Sequence, residues 1–161
     1  MNEIFLQLGS NVGDRSNNLL QALTFISEKI GEVVKVSKLY ESSPWRVDNQ
    51  RDFLNQVIYI RSKLDPFEVL NIALEIEREM GRVRVEKWGE RKIDIDILFF
   101  NDEIIETDSL CIPHQYISKR NFVLKPMCEI ASEFIHPKFN KSIVQLLEEC
   151  LDEDKVELYV L

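Results

Sequence analysis

The segment Arg91–Phe100, RKIDIDILFF, constrains the fold of this chain more than any other stretch. Six of its ten residues are apolar, yet two aspartates sit at alternate positions among them. Successive side chains on a strand point to opposite faces. Ile93, Ile95, Ile97 and Phe99 are therefore predicted to share one face. Asp94 and Asp96 then stand together on the other, roughly 6–7 Å apart at Cα. A carboxylate beside a core is costly unless its charge is compensated. That face of the sheet must meet water, an arginine or a metal. Taken alone, Asp-x-Asp fits a wet face whose charges discourage edge pairing better than it fits a metal pair.

The neighbouring periodicities place this strand in a larger plan. Ile4–Leu8 reads as a short strand running into the loop GSNVGDR. Leu19, Leu20, Leu23, Ile26 and Ile30 recur at helical spacing, and Gly31 follows as a stop. Val33–Tyr40 is rich in β-formers, ESSPWRVDNQRD reads as a long loop, and Phe53–Leu64 as a strand. DPFE at 65–68 is a strong helix start, with Asp65 as cap, Pro66 in the first turn and Glu68 completing a capping box. That helix is expected to reach Met80 and stop at Gly81. The charged loop RVRVEKWGERK leads into the Ile93–Phe100 strand, and Asn101-Asp102 turns the chain. CIPHQYISKRNFVLKP shows no clear period; Ser142–Cys150 reads as a short helix and Val156–Val160 as a last strand. The order predicts an α+β fold with a ferredoxin-like βαββαβ core. Its antiparallel sheet would carry helices on both faces, in three α/β/α layers, with extra C-terminal elements. No repeat or linker divides it, so residues 1–161 are expected to form one domain.

Charge narrows the function. The net charge is −8 and the pI about 4.9, which argues against a nucleic-acid or membrane-surface binder. No apolar run approaches the length of a membrane span, and MNEIFLQLGSN lacks the features of a signal peptide, so a cytoplasmic location is expected. Cys111, Cys128 and Cys150 form no CxxC pair and read as reduced thiols. Two histidines, His114 and His136, are too few for a histidine-rich metal centre. The acidic stretch EECLDEDKVE reads as a solvated surface.

Against this acidic background, Arg78–Lys92 holds six Lys/Arg and three Asp/Glu. A cationic loop beside paired carboxylates suits a magnesium-polyphosphate site: carboxylates take the metal, and arginines take phosphate oxygens. The plainer alternative is a solvated surface on which the cations pair with Glu77, Glu79, Glu86 and Glu90. No GxxxxGK[ST] is present, so a nucleotide here would not use a P-loop.

KWGERKIDIDIL resembles the signature of the 6-hydroxymethyl-7,8-dihydropterin pyrophosphokinase family. LGSNVGDR, YESSP, QRDFLNQV, GRVR and PHQYISKRNFVL agree with that family in the same order, from about Ile4 to Pro126. The resemblance implies transfer of pyrophosphate from ATP to the hydroxymethyl group of the pterin, releasing AMP, with two magnesium ions. It implies that Asp94 and Asp96 are metal ligands and that Arg82 and Arg91 contact phosphates in the reactive state. Arg84, Lys87, His114 and Arg120 would contact ATP, with Glu77 near its adenine and ribose. Phe53 and Phe122 would sandwich the pterin, Asn55, Ser42 and Ser43 would read its edges, and Trp88 would close over it. ATP and the pterin are the implied partners, and a monomer is expected. Gln115, Lys119, Asn121, Leu74 and the loop Trp45-Arg46-Val47-Asp48 depart from the common pattern. His136 matches no functional position. Two alternatives stay open: another magnesium-dependent phosphoryl or nucleotidyl transferase, and a non-catalytic ferredoxin-like binding module.

Overall fold

The computed structural model describes residues 1–44, 50–81 and 92–161. Fifteen elements follow in order: β1 (Asn2–Ser10), α1 (Arg15–Lys29), β2 (Glu32–Val36), β3 (Tyr40–Ser42), β4 (Phe53–Ser62), α2 (Pro66–Glu79), β5 (Asp94–Phe100), β6 (Ile105–Glu106), β7 (Cys111–Ile112), a 3-10 turn (Ile117–Lys119), α3 (Asn121–Ala131), β8 (Ile135–His136), β9 (Lys141–Ser142), α4 (Ile143–Glu149) and β10 (Val156–Leu158). The main sheet is antiparallel in the order β10-β3-β4-β1-β5, with β2 also paired to β4. This is the expected α+β plan.

Period-two patterning gives the sheet two apolar faces. Ile4, Leu6 and Leu8 of β1, with Ile58 and Ile60 of β4, bury against Leu19, Ala22 and Ile26 of α1 and Val69, Ala73 and Ile76 of α2. Phe5 of β1, Val57 of β4 and Phe99 of β5 pack on the opposite face against Val123, Leu124 and Met127 of α3 and Leu146 of α4. Each such fully buried large side chain contributes about 1.5–3 kcal/mol. Among the described residues, no helix is long and apolar enough to cross a membrane.

Local chemistry sets the boundaries. Asp65 Oδ1 accepts the Glu68 N–H at 2.9 Å and Glu68 Oε1 accepts the Asp65 N–H at 3.1 Å, forming the expected capping box on α2. Gly81 follows α2 with φ +81°, the left-handed conformation that suits glycine. Gly31 works differently. A Cβ there would collide with the Arg61 carbonyl oxygen, so this glycine lets the end of α1 lie against β4.

Two expectations are corrected, one unassigned segment is filled, and one exposed stretch proves to carry structural bonds. The register between β1 and β5 shifts, so Phe5 faces Phe99 while Leu6 faces Ile97. The extra residue turns Phe99 onto the α3/α4 face beside Leu98, and Phe100 takes the side of Ile97. Glu41 and Ser42, read as loop, belong to β3, because Tyr40–Ser42 finds partners on both β4 and β10. The unassigned segment after Pro113 contains α3, a helix that runs through Pro126. The acidic stretch is more than a solvated surface. Asp152 Oδ2 accepts the Asn121 N–H at 3.0 Å, the Asp152 carbonyl accepts from Asn121 Nδ2, and Lys125 Nζ donates to the Val156 carbonyl at 3.2 Å.

Candidate active site

The register of the sheet lines up four residues on the α3/α4 face. Tyr40 of β3 pairs with Asn55 of β4, Asn55 with Gly9 of β1, and Gly9 with Asp94 of β5. Beside this row run Val57, Gln7 and Asp96, and Ser42 opposes Phe53. Asn55 and Asp94 are two strand spacings apart, about 10 Å. Gly9 sits between them with no side chain, and the space above its Cα is bordered by Phe53 Cδ1 and Asn55 Oδ1. One end of the sheet therefore carries an aromatic and amide half on β3 and β4 and a carboxylate half on β5.

The amide half is tightly bonded. Asn55 is 2% exposed. Its Nδ2 donates to the Tyr40 carbonyl at 3.1 Å and to Ser42 Oγ at 2.8 Å. Its Oδ1 accepts from Gln7 Nε2 at 3.3 Å. Tyr40 is held in turn from α3: its hydroxyl donates to Glu129 at 2.7 Å, and burial with this neighbouring carboxylate pushes the phenol up to about 12. The loop after β1 is pinned to the start of β4, since Asn11 Nδ2 donates to Gln50 Oε1 and the Arg51 carbonyl. Arg15 also pairs with Glu41 at 2.6 Å and donates to the Asp52 carbonyl.

The carboxylate half is half-buried, with Ile95 between Asp94 and Asp96 facing the core. Glu77 of α2 is 3% exposed, and its Oε2 accepts the Ile95 N–H at 2.8 Å. This contact holds the start of β5 from behind. The donor set is all oxygen, and among the described residues no group of three or more His, Cys, Asp or Glu could hold a metal. Two carboxylates on one face fit magnesium, which keeps waters or phosphate oxygens in its shell.

The segment after β7 completes the site. The His114 N–H donates to the Leu98 carbonyl at 3.0 Å, so the chain continues alongside β5. His114 Nδ1 accepts the Tyr116 N–H at 3.2 Å. Burial, reinforced by the nearby Arg120 cation and opposed by Asp94, lowers His114 to about 4. Arg120 is buried, with its guanidinium 4.8 Å from the Tyr116 ring centre and 5.4 Å from that of Phe122. It thus presents charge beside the aromatic residue at the start of α3, which is half-buried.

The structure brings Ser42, Phe53, Asn55, Asp94 and Asp96 to one end of one face of the sheet, with His114 and Arg120 in electrostatic contact beside Asp94. Phe122 lies against Arg120, and Ser43 is half-buried just beyond β3. Glu77 lies behind β5, bonded to its backbone. Arg82, Arg84, Lys87, Trp88 and Arg91 lie outside the described residues, as do Trp45, Arg46, Val47 and Asp48. Gln7 was not singled out from the sequence. Its signal was a lone polar residue in the apolar strand IFLQLG.

Comparison with known proteins identifies the family and the fold. Residues 5–132 match the family model for 7,8-dihydro-6-hydroxymethylpterin-pyrophosphokinase. The 2-amino-4-hydroxy-6-hydroxymethyldihydropteridine pyrophosphokinase of Aquifex aeolicus is 42% identical over 149 residues, covering 92% of each chain. The protein of the same name from Bacillus subtilis is 44% identical over 135 residues, covering 83% of this chain and 81% of that one. Among solved structures, wild-type HPPK-DHPS of Plasmodium falciparum with pteroate superposes with TM-score 0.75 at 19% identity. It covers 92% of this chain, which spans 44% of that longer protein, and the likeness shows the fold.

Proposed function

This chain belongs to the 7,8-dihydro-6-hydroxymethylpterin-pyrophosphokinase family, and from that membership we propose how its residues divide the work of the reaction. The reaction is transfer of pyrophosphate from ATP to the hydroxymethyl group of 6-hydroxymethyl-7,8-dihydropterin, in folate synthesis. The substrate hydroxyl forms a bond to the β-phosphorus of ATP, the bridge to the α-phosphate breaks, and AMP leaves.

The observation that carries the assignment is the shared face of Asn55 and Asp94, with Gly9 between them. The β3/β4 half takes the pterin: Phe53 and Phe122 hold its faces, and Asn55, Ser42 and Ser43 its edges. The β5 half takes the triphosphate. Asp94 and Asp96 would hold two magnesium ions, which would supply positive charge to offset that of the triphosphate. His114, whose neutral form burial favours, contacts the nucleotide as a hydrogen-bonding group, while Arg120 supplies fixed positive charge. Glu77 fixes, from behind, the strand that carries the aspartates. Arg82, Arg84, Lys87 and Arg91 supply further phosphate contacts, and Trp88 closes over the pterin. Catalysis then rests on alignment and electrostatics more than on a strong base. Residues 1–161 act as one catalytic domain, a cytoplasmic monomer.

Nucleotide product analysis tests the assignment. AMP is expected from ATP only when both pterin and magnesium are present. ADP would indicate a simple kinase, and free pyrophosphate a nucleotidyl transferase. No AMP from folded, ATP-binding protein would overturn the acceptor.

A further inference from the structure

We infer that Gln7 is a positioning residue for the acceptor pocket: its NH2 group holds in place the carbonyl oxygen that Asn55, oriented by the Tyr40 carbonyl, presents to the ligand. This rests on the reading of Asn55 as a contact to the pterin.

The orientation follows from one group that cannot change its role. The Tyr40 backbone carbonyl can only accept, so the atom of Asn55 that faces it must be Nδ2. The second Nδ2 proton goes to Ser42 Oγ. Oδ1 therefore faces Gln7, and only Nε2 of Gln7 can donate to it. Both amides are set by this chain, from the Tyr40 carbonyl to Asn55 to Gln7. The remaining capacity is specific. Asn55 Oδ1 keeps one lone pair, and the Ser42 hydroxyl keeps a proton to give. The edge of the pocket thus offers an acceptor beside a donor, complementary to a heterocycle edge with an N–H beside a ring nitrogen or carbonyl.

Gln7 is poorly explained by stability. It is 4% exposed, on the face that holds Phe5 and Val57, and its Oε1 is buried without a hydrogen-bond partner. A buried lone acceptor is unfavourable; a leucine of similar size would remove it, but would also remove the donor to Asn55 Oδ1. Its register places it between Val57 and Asp96, where the two halves of the site meet. Polar capacity at that point serves the neighbouring amide.

The test measures pterin affinity by ligand fluorescence in Gln7→Leu, Asn55→Ala and the double variant, alongside thermal melting and steady-state kinetics. Gln7→Leu is expected to melt near the wild-type temperature, since it removes the lone Oε1 acceptor but leaves Asn55 Oδ1 without its donor, and to bind pterin about tenfold more weakly, the loss of one ordering hydrogen bond. KM for the pterin should rise with it, while KM for ATP stays unchanged. Gln7→Glu should bind more weakly still, because a carboxylate facing Asn55 Oδ1 offers no proton. In the Asn55→Ala background, Gln7→Leu should change nothing. Wild-type pterin affinity in Gln7→Leu, with Asn55→Ala impaired, would overturn the role of Gln7. An equal loss from Gln7→Leu in both backgrounds would overturn it too. Normal affinity in Asn55→Ala would remove the reading of Asn55, and this inference with it. If Gln7→Leu fails to fold, Gln7→Met carries the same measurements.

Discussion

The Glu77 carboxylate accepts a 2.8 Å hydrogen bond from the backbone N–H of Ile95, the residue that separates Asp94 from Asp96. A helix side chain thus reaches the strand at the point where its two acidic side chains leave toward the other face. The bond fixes the backbone of the carboxylate pair from the core side.

Removing that acceptor should weaken both fold and site. Glu77→Ala leaves a buried N–H without its partner, an expected loss of about 1–3 kcal/mol in urea unfolding. Glu77→Gln keeps an acceptor oxygen and should lose less. Equal unfolding midpoints for the alanine variant and wild type would show that this bond contributes nothing.

The β5 aspartates should behave in the opposite way. Asp96→Ala removes charge from a half-buried position, so melting should stay near or above wild type. Turnover should fall by roughly 10²-fold or more, the scale of losing a main electrostatic contact. Mg-ATP affinity measured by calorimetry should fall in parallel. An Asp96→Ala enzyme with near-normal rate would show that Asp96 holds no catalytic metal.

Acid should destabilise the protein partly through His136. This imidazole is buried, stacks on Phe139 at 4.3 Å, and its Nδ1 accepts the N–H groups of Lys138 and Phe139, each at 3.2 Å. Burial, with Lys138 nearby, lowers it from the ordinary 6.5 to about 4. The unfolded chain therefore takes up this proton first. Its contribution is complete above about pH 6.5 and is lost as pH falls toward 4. Urea unfolding at pH 7.5, 5.5 and 4.5 should show a shallower decline in His136→Gln than in wild type. Parallel declines would mean that other groups account for the pH dependence.

The core strands and first two helices were legible because their periodicity and caps are local. DPFE encodes its capping box within four residues, and the apolar alternation of Phe53–Leu64 matches β4 closely. The missed features depend on distant partners. Tyr40–Ser42 is a strand because β4 and β10 flank it. The helix through Pro126 is held at its first turn by Asp152, and Phe99 changes face through a pairing irregularity with β1. The same division holds in the candidate site. Asp94 and Asp96 stand out as charges in an apolar strand, and the motif resemblance points to Asn55, His114 and Arg120. The positions of Glu77 and Gln7 become clear only once α2 lies behind β5 and β1 lies between β4 and β5. Glu77 did carry a trace of its burial, since it continues the helical stripe of Val69, Ala73 and Ile76.

The family match ends at residue 132, yet the C-terminal stretch touches β3 and α3, the two walls of the proposed acceptor pocket. Val156 pairs with Ser42 on one wall, and Asp152 and the Val156 carbonyl bond to Asn121 and Lys125 on the other. The tail works as a buckle between β3 and α3. Cutting the tail would therefore free the spacing between Ser42 and Asn121, with both residues left in place.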